Sequence, residues 1–296
     1  MDACEKDVRS NLEQARKRGC KFVDFTGGEP LLHPSLPLFL EHAKNLGFIT
    51  SVTTNCILFK KRAPQLRGKI DLLHFSVGAD NAQTHNRIRG CNSYDSVLES
   101  IDIALANKLV PDIQFTYTHE NLQYFEGIYS IAREKKLMLI LDPVFNTGGE
   151  DTIDPEIHKG ALSLSKRKGV YLNRAHLLLR SKGGNNTRSP VCRAVSSTIV
   201  ILPDNSLALP CYHHRITTIP INNNLESMFS KPQWRESRNN QGEYDFCEKC
   251  HINCYMDPSF NYHPGGLMFF SLMSKLKYGW RKYFIYKNPL SFKLLK

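Results

Sequence analysis

Strand-like apolar stretches recur roughly every 25 residues through the first half of this 296-residue chain, with helical patterns between them. The strand stretches are 21–25, 48–53, 71–77, 112–118 and 137–144. Between them Leu36, Phe39, Ala43 and Leu46 form one helical stripe. Val97, Ile101, Ala104 and Leu105 form a second, and Tyr124, Ile128, Ile131 and Ala132 a third. Val8, Leu12 and Ala15 predict a helix over 8–18, closed by Gly19. Such alternation predicts an α/β fold with a parallel sheet. Right-handed crossovers wind it into a barrel or a doubly wound sheet. The Gly-rich and Asn-rich signals follow the strands, at the C-terminal ends where β/α barrels carry their sites. No GxGxxG or Walker loop appears, which counts against nucleotide folds of those kinds.

The first strand stretch runs straight into Gly27-Gly28-Glu29-Pro30. Paired glycines at a strand end let a ligand approach backbone with no Cβ in the way. Glu29 supplies an acceptor there, and Pro30 stiffens the exit.

From about residue 148 to 190 the texture changes to charge runs and Gly183-Gly184-Asn185-Asn186, which predicts a linker with one or two helices. A smaller module then begins. Stretch 198–202 reads as a strand, Pro203-Asp204-Asn205-Ser206 as a turn, and 207–209 as its antiparallel partner. The divisions are therefore 1–150 for the barrel-like part, 151–190 for the linker, 191–262 for the module and 263–296 for a tail.

No run of about twenty apolar residues implies a membrane-spanning helix, and the charged N-terminus is not a signal peptide. These features predict a cytoplasmic protein, in which nine cysteines are metal ligands or buried thiols rather than disulfides. Five of them, Cys192, Cys211, Cys247, Cys250 and Cys254, fall in the module, and Cys247-x-x-Cys250 is a knuckle that aims two thiolates at one site. Four thiolates suit either zinc or an iron–sulfur cluster.

The net charge of +11 raises nucleic acid as a partner, but its distribution argues against one. Seven Lys or Arg and no acidic residue lie between 265 and 296, so the tail holds +7 and leaves +4 for the rest. In that tail Phe269, Leu272, Met273, Leu276, Trp280, Tyr283 and Phe284 share one helical face, with Lys275, Lys277, Arg281 and Lys282 on the other. A basic amphipathic helix of this kind suits an anionic membrane surface, such as the inner membrane face. Packing on its own domain or on a second subunit is the alternative.

The Gly-Gly-Glu-Pro loop in this context resembles the motif of radical SAM enzymes, in which it holds the amino group of S-adenosylmethionine. In that family the next strand often ends Thr-Asn-Gly, and here it ends Thr54-Asn55-Cys56. The following strand commonly ends Ser-Leu-Asp-Gly, with His-Asp-x-x-Arg-Gly beyond. Here the residues are Ser76-Val77-Gly78-Ala79-Asp80 and His85-Asn86-Arg87-Ile88-Arg89-Gly90. The resemblance implies that Gly27, Gly28, Glu29, Pro30, Asn55, Ser76 and Arg89 bind S-adenosylmethionine. Gly78 stands where an Asp would contact the ribose.

The order Cys192, hairpin, Cys211, then Cys247-x-x-Cys250, resembles the twitch module, a shortened SPASM domain holding an auxiliary four-iron four-sulfur cluster. Cys254 is a fifth candidate ligand. The resemblance implies 5′-deoxyadenosyl radical chemistry, with a reductant such as flavodoxin or ferredoxin. Twitch relatives act on alcohols and small molecules and SPASM relatives on peptides, and no leader-peptide module is visible. The family's C-x-x-x-C-x-x-C loop for the catalytic cluster is absent from these residues. The expectation is a partial barrel lacking its first strand, with an unpaired edge, and no catalytic cluster except in a longer form. The alternatives are a non-catalytic barrel with a structural zinc site, or a membrane-surface scaffold.

Overall fold

The computed structural model describes residues 3–148 and 151–286. The chain forms two compact units. One comprises Arg16–Asp142, Lys159–Leu172 and Leu276–Lys296, and the other Met1–Ala15, Pro143–His158 and Asn173–Lys275.

The first unit is built on a six-stranded sheet: β1 Phe22–Phe25, β2 Ile49–Thr54, β3 Leu72–Val77, β4 Asp112–Tyr117, β5 Leu139–Pro143 and β6 Val170–Tyr171. The strands lie in sequence order, and the registered pairs are parallel. Parallel neighbours need a crossover, and helices Leu36–Asn45, Phe59–Leu66, Tyr94–Ala106 and Phe125–Glu134 supply it. Alternate strand residues pack on those helices. Phe75 meets Phe59 edge-on at 4.8 Å, and Phe25 stacks on Phe39 at 6.3 Å. Burying such apolar side chains contributes about 2 kcal/mol each.

The residues between them point the other way and are polar: His74 and Ser76 on β3, then Asp112 and Gln114 on β4. The register pairs His74 with Asp112 and Ser76 with Gln114. Strand β1 lies at the sheet edge, with Phe22 exposed. Strand β6 falls within residues that the sequence pattern assigns to a linker. Two residues carry no readable period, so only the pairing of Leu139 with Val170 reveals it.

The tail continues helix Gly266–Gly279 into a π-helical turn, Trp280–Ile285. Its polar side faces inward. Lys282 Nζ lies 2.9 and 2.8 Å from the two carboxylate oxygens of Asp112, and both residues are buried. Tyr278 donates its hydroxyl proton to the same carboxylate. Arg281 donates to the carbonyls of Arg167 and Val170, each at 2.9 Å. Lys277 reaches the Ser165 carbonyl, and Lys275 pairs with Asp257 at 2.8 Å. Two readings of the tail change. The charged face is spent on the protein itself, and Tyr283 leaves the apolar stripe. Its half-buried phenol titrates higher than usual, through burial and then the charges of Asp112 and Asp71. The wider π turn rotates it inward. Lys287, Lys293 and Lys296 lie outside the described residues.

The second unit contains a two-stranded antiparallel sheet, β7 Ser206–Pro210 with β8 Arg215–Pro220. The sequence pattern pairs 207–209 with 198–202 instead. That pairing survives as a single bridge, Ile201 to Leu207, with Ala208 N donating to Val200 O at 3.0 Å.

Candidate functional site

Strands β1, β2 and β3 end at Phe25, Thr54 and Val77, so the loops after them lie at one end of the parallel sheet. Glu29 ties two of these loops together. Its Oε1 accepts from Leu31 N at 3.0 Å and from Thr54 Oγ1 at 2.8 Å. Its Oε2 accepts from Asn55 N at 2.8 Å. A carboxylate offers about four lone-pair sites, so among the described residues one remains unspent, on Oε2. Gly27 and Gly28 precede it. Gly27 has φ +138°, and a Cβ built on either glycine would meet nothing within 4 Å. The backbone beside the carboxylate is therefore open to a ligand.

Asn55 turns its Oδ1 toward Ile57 N at 3.0 Å, and its Nδ2 makes no hydrogen bond among the described residues. The Ser76 hydroxyl, on the polar side of β3, likewise has none. Pro30 begins the short 3-10 turn that Glu29 caps. Cys56 stands at the position of the family's glycine and adopts φ +70°, a conformation that costs an L-residue about 1–2 kcal/mol. Its buried thiol is pushed well up, first by burial and then by the negative charge of Glu29. Ser100 and Arg89 oppose that shift. Arg89, exposed at the end of helix Ala82–Arg89, thus lies within electrostatic reach of the same strand ends.

His85 and Asn121 were not singled out by the sequence pattern as site residues. The Gly78 amide donates to His85 Nδ1 at 3.2 Å, and Asn121 Nδ2 donates to the Gly78 carbonyl at 3.1 Å. With Nδ1 accepting, the His85 proton sits on Nε2, which faces Ser93 Oγ at 3.0 Å. Burial, and then the Arg89 charge, lower its pKa to about 4, so the ring is neutral and acts as a brace. A Cβ on Gly78 would lie 3.1 Å from Ile88 Cγ2. The helix packs where the family's aspartate would project, so no ribose contact arises from this position.

In the second unit Cys192, Cys211, Cys247 and Cys250 line one cavity with Pro210, Phe246 and Tyr255. All four are free and buried. Burial pushes each thiol up, Cys247 to about 12, and the prospective charges of neighbouring thiolates add to the shift at Cys192, Cys247 and Cys250. Backbone amides oppose it, among them His214 N, which lies 3.4 Å from Cys211 Sγ. Four buried thiols lining one cavity, three of them raised by the prospective charges of the others and each met by backbone hydrogen bonds, suit a cationic occupant. Among the described residues no three His, Cys, Asp or Glu side chains are grouped to hold a single metal ion. Cys254 is exposed, outside the cavity wall, with its sulfur 3.8 Å from His213 Nε2. Cys4, Cys20 and Cys91 take no part in the cavity.

Asn185 holds the cavity's segments together, and the sequence pattern shows nothing of this. Its Nδ2 donates to the carbonyls of Gly242 and Cys247 at 2.8 and 3.0 Å. Its Oδ1 accepts from the amides of Val191 and Cys192 at 2.8 and 3.0 Å. Its own amide donates to Cys250 O at 2.9 Å, and its carbonyl accepts from Lys249 N at 2.7 Å. Lys249 takes a left-handed conformation inside the knuckle. Gly184 packs so closely on it that a Cβ would lie 2.3 Å from the Lys249 carbonyl oxygen.

The first unit is thus an α/β sheet with glycine-opened, carboxylate-bearing loops at its C-terminal end, and the second unit contains a four-thiol cavity. Comparison with known proteins makes this specific. Residues 5–132 match the radical SAM superfamily. A probable GTP 3′,8-cyclase of Saccharolobus solfataricus is 35% identical over 109 residues, which is 36% of this chain and 35% of that protein. Another from Thermoplasma volcanium is 27% identical over 198 residues, 60% of each chain. The chain thus spans about a third of the length of the first cyclase it matches. Among solved structures, Streptococcus suis SuiB bound to S-adenosylmethionine aligns with a TM-score of 0.64 at 16% identity, covering 89% of this chain and 67% of that one. Native anSMEcpe with bound AdoMet aligns with a TM-score of 0.57 at 14% identity, covering 97% and 89%. At these identities the likeness is one of fold.

Proposed function

We propose that this chain is a radical SAM enzyme. In this reading the loops after β1, β2 and β3 hold S-adenosylmethionine, and Cys192, Cys211, Cys247 and Cys250 hold an auxiliary four-iron four-sulfur cluster. The observation that carries the first part is the Glu29 carboxylate, pinned by three donors with one lone pair left beside two open glycines. A methionine ammonium brings donors and positive charge to that lone pair. Asn55 Nδ2, Ser76 Oγ and the Arg89 guanidinium have no hydrogen-bond partner among the described residues and suit a carboxylate and ribose hydroxyls.

When bound beside a reduced cluster, S-adenosylmethionine would supply 5′-deoxyadenosyl radical chemistry, used for hydrogen-atom abstraction. The chain's own residues orient: Glu29 fixes the β1 and β2 loops, and His85 with Asn121 fixes the β3 loop. No C-x-x-x-C-x-x-C set occurs among the 296 residues, so no residue of this chain is assigned to a catalytic cluster. The likeness to GTP 3′,8-cyclases supports the radical class; the substrate of this chain stays unassigned. A flavodoxin or ferredoxin as reductant completes the reading, with the cytoplasm as compartment.

Titration of S-adenosylmethionine into the anaerobic protein, followed by calorimetry, tests the site. Glu29→Ala and Gly28→Val should each weaken binding at least about tenfold. Gly28 has no positive φ and open space at its Cβ position, so its variant folds. Equal affinity in both variants, or no binding by the parent chain, overturns the assignment.

A further inference from the structure

The tail helix is oriented opposite to an ordinary surface helix. Ser271, Ser274 and Lys282 are buried, and Tyr278 turns toward Asp112. Phe269, Leu272, Met273, Leu276, Trp280 and Phe284 are all exposed, Trp280 at 59% and Phe284 at 61%. Their spacing of three and four residues makes one continuous stripe along the helix. Trp280 and Phe284 stack at 4.7 Å at its C-terminal end. Solvent exposure of so contiguous an apolar strip marks an interaction surface.

Charge indicates what covers it. Arg281 binds the Arg167 carbonyl at 2.9 Å and the Lys166 carbonyl at 3.5 Å, which brings the 166–168 turn against the tail. Lys166 and Lys168 are exposed and make no ion pair among the described residues, while Arg167 between them pairs with Glu126 at 2.6 Å. No acidic residue lies between 265 and 296. A second copy docking through the same stripe would face cations with cations, since a two-fold interface sets each patch against itself. An anionic surface complements it. Trp280 adds an amphipathic ring of the kind enriched at the boundary between water and hydrocarbon. No described helix is long and apolar enough to cross a bilayer.

We propose that the tail is a peripheral membrane anchor. Its apolar stripe inserts among the headgroups of an anionic lipid surface, Lys166 and Lys168 flank it, and the Lys282–Asp112 pair locks its polar side to the sheet unit. The role of the lysines and acid is thereby reversed from that of a free amphipathic helix. The buried charges fix the helix to the protein and leave the hydrocarbon side for the lipid.

The test is co-sedimentation of the full chain with vesicles of phosphatidylcholine, pure or with about 30 mol% phosphatidylglycerol. The protein should bind the anionic vesicles and lose binding as salt rises. Trp280→Ser with Phe284→Ser should cut the partition at least about tenfold, and Lys166→Gln with Lys168→Gln should lower it by about fivefold per lysine. Both pairs are exposed, so unchanged circular dichroism and melting check the fold. In a Trp234→Phe background, Trp280 fluorescence should shift to the blue on adding anionic vesicles. Absence of binding, or binding unaffected by the Trp280 and Phe284 changes, overturns the proposal. So does a self-association that those changes abolish without any vesicle binding.

Discussion

Replacing Asn185 with alanine should collapse the four-cysteine cavity although no thiol is touched. The side chain makes four hydrogen bonds of 2.8–3.0 Å, to Gly242, Cys247, Val191 and Cys192. The residue is 1% exposed, so its partners are shielded from bulk solvent. A buried hydrogen bond contributes about 1 kcal/mol net, and an orphaned buried group costs about 1–3 kcal/mol. Four of them give a loss of at least about 4 kcal/mol, against a total of about 5–15 kcal/mol for a typical domain. The assay is urea unfolding of the reduced, metal-free protein, followed by circular dichroism, together with iron content after anaerobic reconstitution. Asn186→Ala is the control, because Asn186 is exposed and its side chain accepts only one local bond among the described residues, from Arg188 N. The expected result is a large drop in unfolding midpoint and loss of iron for Asn185→Ala, with little change for the control. Equal midpoints and equal iron in the two variants would refute the reasoning.

Asp112→Leu should destabilise the sheet unit by about 3–5 kcal/mol, since it strands the buried Lys282 ammonium. Adding Lys282→Met should recover most of that loss in thermal unfolding, and no recovery would mean that the pair is not the lock. His74, His85 and His176 have pKa values lowered to about 4, first by burial. Below the unfolded value of about 6.5 the unfolded chain binds more protons, so stability is complete above that pH and falls as pH drops toward 4. At pH 5.5 each ring should cost about 1 kcal/mol, visible as a lower melting temperature than at pH 7.5. A melting temperature independent of pH over this range would mean that the rings are charged in the folded state.

The features legible in the sequence are local ones. A strand running into two glycines and a carboxylate announces its own loop geometry, and the five longer strands carry enough apolar residues to be read. The knuckle at Cys247 and Cys250 is likewise a matter of four consecutive residues. What escaped depends on distant partners. Asn185 reads as part of a polar linker, because the carbonyls it binds are 57 and 62 residues away. The tail's two faces are plain in the sequence, but which face turns inward is set by Asp112, a buried carboxylate that needs donors. That requirement overrides the hydrophobic pattern and draws Lys282 and Tyr278 inside.

Iron and acid-labile sulfide per chain, measured after anaerobic reconstitution alongside electron paramagnetic resonance of the reduced protein, tests the cluster assignment most directly. The account predicts about four irons and four sulfides per chain. Serine at Cys192, Cys211, Cys247 or Cys250 should abolish them, and Cys254→Ser should leave them unchanged. One bound zinc with no iron, or iron that survives loss of Cys192 and Cys211 but not of Cys254, would contradict it.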